Sequence, residues 1–500
     1  VKRTTLSLIA GTAALAAVTG FATLTQPAAP GAGTAATAAG VLPVERSSLL
    51  CPAPSTSDLA ETTYTSFTPV TKGTGSDGTA ELRPATAGKN AAAGGADDKK
   101  KTPAKPVLTP KAPGTPASGD TTGGGSPALM GTAQGKFAPG WTLQETTQVA
   151  AGTGRGLLGV TCTAPDTDFW FPGVSTAADR TDYLHLTNPD DSAAVADIEL
   201  YGKDGAIATT VGEDITVPAE SSVPILLSTL TGEKQDDLTV HVNVRSGRVG
   251  AAVQALDDKL GGDWLAASTD PAGSLVVPGI PKDATAVRLV AFTAADADAD
   301  LKVQLASPSG LITPAGKETL HVKAGMTTAV DLGDVTRGEA GSLVLTPTDQ
   351  SVPVVAAVRI VRGKGDKQES AYLPASGPVG TRASVVANTA KGTTLSLTAP
   401  SGAAKVKVTA SAGSEGGTAA SQTYTIRPGT TQDVQLPVPA GLKGTYALTV
   451  EPLTATPVYA SRTLTASVDG LPGFTVQTLP ADRGTVAVPR TEEDLTVLQK

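Results

Sequence analysis

Apolar and polar positions alternate along most of the chain. Leu184 and Leu186 fall on one phase, Tyr183 and His185 on the other; Val240, Val242 and Val244 likewise oppose His241 and Asn243. Successive side chains on a strand point to opposite faces, so a period of two predicts strands with one face in a core. The runs are short and are broken by Gly, Pro and Asp turns at a spacing of about 8–12 residues, which predicts antiparallel sheets. A helical period is visible only in the N-terminal segment and in "TEEDLTVLQK" at the end.

The alternation also recurs at long range, the mark of a repeated unit. "LHLTNPDDSAAVADIELYGKDG" from Leu184 aligns with "LVAFTAADADADLKVQLASPSG" from Leu289 and, more loosely, with "LSLTAPSGAAKVKVTASAGSEG" from Leu395. Further on, "ITVPAESSVPILL" matches "LHVKAGMTTAVDL" and "YTIRPGTTQDVQL", which makes Glu220, Gly325 and Gly429 equivalent. Glycine in "KAGM" and "RPGT" supplies the positive φ that a Cβ resists; Glu220 breaks that rule. A closing strand recurs as "GRVGAAVQAL", "SVPVVAAVRI" and "TPVYASRTLTA", with Val253, Val358 and Thr463 each 105 residues apart. A repeat of that length with some seven strands fits an immunoglobulin-like sandwich.

The fold expected is therefore all-β: tandem immunoglobulin-like sandwiches at 164–270, 271–375 and 376–488, then a tail at 489–500. "TGRGLLGVTC" resembles "RSGRVGAAVQA", which predicts a degenerate fourth module at 41–163. Within it, residues 88–127 (ending "GADDKKKTPAKPVLTPKAPGTPASGDTTGGGSP") hold too few large apolar side chains to offset ordering entropy and are expected to be disordered. Only 3% of the residues are aromatic, so Ala, Val, Thr and Leu must fill the cores, which favours thin β-layers. A formal net charge of -8 argues against nucleic acid, whose partners carry basic faces.

Lys2 and Arg3 precede an uncharged run from Thr4 to Thr25, the layout of an export signal. It reads either as a cleaved signal peptide or as an uncleaved signal-anchor helix within 1–25, holding the membrane through residues 4–25; 26–40 is a flexible tether. Export favours oxidation of the chain's two cysteines. Cys51 would end the first strand of the first module and Cys162 its last, so a Cys51–Cys162 bridge is expected to hold that module together.

The three histidines, His185, His241 and His321, sit on the polar phase between inward-pointing residues and read as surface side chains rather than as a metal site. "ADADAD" at 295–300 fails the EF-hand spacing, with Leu301 where glycine belongs and Ser307 where glutamate belongs. "GLITPAGKE" lacks the Walker A spacing, and no Gly-x-Ser-x-Gly elbow occurs. No metal, cofactor or catalytic residue is expected. "DTDFWFPG" concentrates Phe169, Trp170 and Phe171, and Trp264 follows in "LGGDWLAAS". These rings read either as a platform for stacking on sugars or as wedges between modules, the first three against the disulfide module and Trp264 one repeat later.

A "CPAP"-type first cysteine, then "RGLLGVTCTAPDTDFWFPG", "LHLTNPDDSAAVADIELYGKDG" and "GRVGAAVQ", resemble the actinobacterial DUF5719 family of unknown function. The resemblance implies a secreted or membrane-anchored envelope protein and brings no catalytic residues. Three functions stand as expectations: a non-catalytic extracytoplasmic scaffold with an envelope protein as partner, a binder of cell-wall or capsular polysaccharide using Trp170 or Trp264, and an envelope hydrolase.

Overall fold

The computed structural model describes residues 40–87 and 105–488. Residues 43–485 form one unit; the other takes in residues 1–42 and 486–500, whose described residues lie in a two-stranded ribbon of Gly40–Pro43 and Thr485–Val488. The expected export segment and tail fall outside the described residues, and no helix among those described is long and apolar enough to cross a membrane.

The large unit is all-β and contains four sandwich modules, at 46–161 (I), 168–265 (II), 275–374 (III) and 383–478 (IV). In module II one sheet runs Ser221–Leu226, Arg180–Thr187, Gly250–Asp257, Gly261–Leu265, with Thr86–Ala87 of module I added in parallel beside Ser221–Leu226. The other runs Asp168–Val174, Leu238–Ser246, Ala194–Gly202, Gly205–Ile207. Leu184, Leu186, Val240, Val242 and Val253 meet between them, on the phase the alternation predicts. The order departs from an immunoglobulin domain in one respect: the first strand lies beside Leu238–Ser246, where such a domain has its last, and Gly250–Asp257 takes the position of its first.

The modules are arranged as a closed ring rather than a string. The last strand of each, Gly156–Thr161, Gly261–Leu265, Glu369–Pro374 and Leu471–Thr478, packs against two of the others around one axis. Farther out, the sheet that begins each module packs on the other sheet of the next. Asp168–Val174 lies on Ala284–Phe292 and Val355–Arg362 of module III, and Leu275–Ile280 lies on Thr393–Ala399 and Tyr459–Val468 of module IV. Ala383–Asn388 lies on Ala60–Phe67 and Thr142–Val149 of module I, and Arg46–Cys51 lies on Gly250–Asp257 of module II. Eight sheets therefore alternate around the ring, two from each module.

Ring closure explains the corrections the structure makes to the sequence reading. The second face of a strand, polar by alternation, is covered by the neighbouring module. His185 is accordingly only 6% exposed instead of lying at the surface, whereas His321 is exposed between Asp298 and Asp300. Trp170 packs with Phe292 and Val355 in the II–III seam, not against the disulfide module, while Phe169 and Phe171 fill the core of module II. The expected insertion is narrower: Leu108 is buried, Ala117–Thr122 is a strand paired with Ala60–Phe67, and residues 88–104 lie outside the described residues. The repeat register of module IV moves by one, because Leu184 pairs with Val253 and Leu289 with Val358, but Leu395 pairs with Arg462, not Thr463.

At the equivalent turns, Gly325 and Gly429 have φ of 68° and 67°, and Glu220 is held at 49°. A Cβ in the left-handed region costs roughly 1–2 kcal/mol, against roughly 0.5–1 kcal/mol for glycine's extra chain entropy. Glu220→Gly is expected to raise the unfolding free energy by about 0.5–1 kcal/mol, read as a shift in the denaturant midpoint.

Candidate functional site

The register that displaces Thr463 also aligns the inner strands. Thr146 pairs with Gly159, Gln254 with Trp264, Arg359 with Tyr372 and Thr463 with Val476, so these partners occupy one position in the four modules. Each points at the preceding module: Trp264 packs with Leu158 and Val160 of I, Tyr372 joins the core of II, and Val476 that of III. Gly159 has no side chain to project. Module IV fills the space instead, and a Cβ on Gly159 would lie 2.5 Å from Gln477 Nε2 and 2.6 Å from Thr475 Cγ2.

All four residues line a cavity of about 340 Å³ on the axis, with walls from every module. Trp141, Phe169, Trp264 and Tyr372 supply aromatic surface, and Cys162 forms part of the wall. Cys51 and Cys162 are bonded, tying the first strand of module I to the residue after its inner strand. Trp264 and Phe169 are thus brought to one site, while Trp170 is stacked on His241 at 3.8 Å in its seam.

Deeper on the axis lies a polar network. Asp263 Oδ1 accepts from Gly159 N at 2.9 Å and from Thr475 Oγ1 at 3.0 Å, joining modules I, II and IV. Gln477 Nε2 donates to Gly159 O at 3.1 Å, and Glu369 Oε2 accepts from Phe474 N at 3.3 Å. Burial pushes the Asp263 carboxyl well above the usual carboxylate range, with Glu369 adding to the rise against the hydrogen bonds it accepts. Burial raises Glu369 too.

Charged groups gather at the mouth: Asp166, Asp168, Asp270, Asp482 and Arg483. Arg483 approaches Asp166 at 3.5 Å, His241 Nε2 meets Asp168 at 3.0 Å and Arg382 Nε meets Asp482 at 2.5 Å. Asp270 has no ionic partner among the described residues. No group of three or more His, Cys, Asp and Glu side chains able to hold a metal occurs among the described residues.

Local sequence reasoning missed Gly159, Asp263, Glu369, Tyr372 and Gln477. For the last four, the one local signal is a polar or aromatic side chain on a last strand that is otherwise largely apolar.

His185 borders the site, edge-on to Trp264 at 5.2 Å between ring centroids. Leu50, Pro52, Val160, Thr161 and Thr163 of module I face it, with no carboxylate among them. Neither ring nitrogen has a protein partner, and burial pushes its pKa down to about 4. The unfolded value is about 6.5. The contribution of the neutral ring is therefore whole above pH 6.5 and is lost as pH falls through the folded value. Between pH 6.5 and 4 the wild type is expected to lose about 3 kcal/mol relative to His185→Phe. Urea midpoints of the two proteins measure this, and parallel pH profiles would exclude it.

Fold and site together define a closed ring of four β-sandwiches with a cavity at its axis. The chain belongs to DUF5719, a family of unknown function whose model matches residues 117–437. No curated protein matches it.

Proposed function

We propose that the protein is a non-catalytic, extracytoplasmic component of the cell envelope that serves as a scaffold and presents its outer strands and loops to a partner protein. The observation that carries this reading is how the ring uses its polar groups. The buried donors and acceptors at the axis bind one module to another, and three of the four aspartates at the mouth each meet an arginine or a histidine. The buried disulfide of module I supports an oxidising compartment. The test is labelling of intact cells with a membrane-impermeant amine reagent, followed by crosslinking and non-reducing gels. Labelling before lysis, an oxidised chain and a crosslinked envelope protein are expected. Labelling only after lysis, with both thiols free, would overturn the proposal.

A further inference from the structure

We propose that Ala420–Ile426 of module IV is a docking edge for a second copy of this chain, which adds the same strand antiparallel about a two-fold axis at Thr423. A strand at the rim of a sheet exposes unpaired N–H and C=O groups, and proteins blunt such rims with charge, proline, breaks or cover. The other outer rims of the ring are blunted in these ways. In module I, Ala80–Pro84 is covered by Val107 and Leu108, and Ala117–Thr122 carries Asp120. In module II, Ser221–Leu226 carries Pro224 and meets Thr86–Ala87, and the rim of the second sheet is broken into Gly205–Ile207 and Ile215–Val217. In module III, Thr327–Gly333 carries Asp331, and the second rim is broken into Gly310–Ile312 and Thr319–Val322. Thr430–Val434 of module IV carries Asp433.

Ala420–Ile426 has none of these devices. It pairs with Ala404–Ala410 over its whole length without a bulge, and it holds no charge and no proline. The ladder fixes which of its backbone groups point off the sheet. Lys405 O accepts from Leu453 N at 2.8 Å and Ser411 N donates to Ala447 O at 2.9 Å, so Lys405, Lys407 and Thr409 turn their backbone toward Tyr446–Pro452. The alternate residues bond Ala420, Gln422, Tyr424 and Ile426. Ser421, Thr423 and Thr425 are exposed, and their outward N–H and C=O groups have no partner among the described residues.

Symmetry and side chains select the occupant. The outward residues are evenly spaced about Thr423 and therefore match an inverted copy of themselves. Thr423 bonds Thr423 of the second copy, and Ser421 of each copy bonds Thr425 of the other. Threonines side by side on a sheet face form a favourable pair, and neither strand carries a charge to repel the other. A foreign strand is recognised through pockets for its side chains, whereas this face presents only the short side chains of Ser421, Thr423 and Thr425. An isologous contact of this kind closes at two copies. The inference does not rest on the envelope reading: it is tested by the mass of the purified protein, which the labelling of intact cells leaves untouched.

The test is sedimentation equilibrium of the full chain across a range of concentrations. A reversible monomer–dimer equilibrium is expected, with dimer present at about 100 μM, because one strand pair buries less than the roughly 1,200 Å² of a standard interface. Thr423→Lys and Thr423→Glu each set like charges face to face at the axis and are expected to weaken association roughly tenfold or more. Mixed in equal amounts, the two variants are expected to recover it as a heterodimer. Thermal midpoints within a few degrees of the wild type show that both remain folded. A wild-type chain that stays monomeric up to about 500 μM overturns the proposal whatever the variants do, and leaves the edge to a foreign strand. A dimer that Thr423→Lys leaves intact, folded variants that fail to pair when mixed, or assemblies larger than a dimer overturn it as well.

Discussion

Removing the Cys51–Cys162 bridge, by reduction or by Cys51→Ala with Cys162→Ala, is expected to lower the unfolding free energy by about 4–5 kcal/mol. The bridge spans 111 residues of sequence and joins the two sheets of module I, so it removes a large closed loop's freedom from the unfolded chain. Module I needs that constraint. Its core is small, built around Leu49, Tyr64, Leu82, Leu129, Trp141 and Leu143, and its centre carries the buried Glu145. Cys162 also stands on the cavity wall, between the seams that module I makes with II and IV. Loss of the bond should therefore loosen two seams at once. Guanidinium titration of oxidised and reduced protein measures the first effect. Amide exchange along Gly156–Thr161 and Gly261–Leu265 measures the second. A loss under about 1 kcal/mol would show that module I holds without its staple.

Arg462→Met is expected to act in the opposite direction and stabilise the ring by about 2 kcal/mol or more. Arg462 takes the position of Val253 and Val358 in the core of its module and is fully buried. Nη1 makes one long hydrogen bond, 3.4 Å to Val386 O, while Nε and Nη2 have no protein partner. Burial pushes its pKa down to about 9, so the side chain still carries its charge at neutral pH. Taking an uncompensated charge out of water costs several kcal/mol, and an unbranched apolar side chain of similar length avoids that cost.

Module I shows the mirror case. Glu145 occupies the same position, paired with Tyr64 and Val160, and neither carboxylate oxygen has a protein partner. Burial pushes this carboxyl well up. Its neutral form therefore supports the fold below the unfolded value near 4.3, and that support is lost as pH rises through the folded one. Glu145→Leu should gain more stability at pH 8 than at pH 5. Equal gains at both would show that the carboxyl titrates normally.

These positions show what was legible in the chain and what was not. Alternation reports the face a strand turns to its own partner sheet, so Leu184, Val240 and Val253 could be placed from sequence, as could Cys51 with Cys162. It does not report a second layer. In Gly250–Asp257 every residue is buried, because module I covers the phase that holds Gly250, Ala252 and Gln254. The visible trace is the smallness of Gly250 and Ala252 and the aromatic character of Trp170 and Trp264, which only the neighbouring module explains. The one-residue slip at Arg462 has a related cause: a guanidinium at a core position looks like a surface residue, so nothing in the side chain corrects the equal spacing that points to Thr463. Ring closure itself is set by contacts between residues hundreds of positions apart, such as Thr475 with Gly159. No local pattern encodes it.

Where the ring begins and ends also decides how it carries tension. Val44 N donates to Gly484 O at 3.1 Å, so the backbone comes in and goes out at one place. Arg382, bonded to both Thr71 and Asp482, fastens the same junction. A pull applied at residues 44 and 484 themselves therefore falls on those few bonds first and peels module I from module IV. Modules II and III carry no load until that junction has parted.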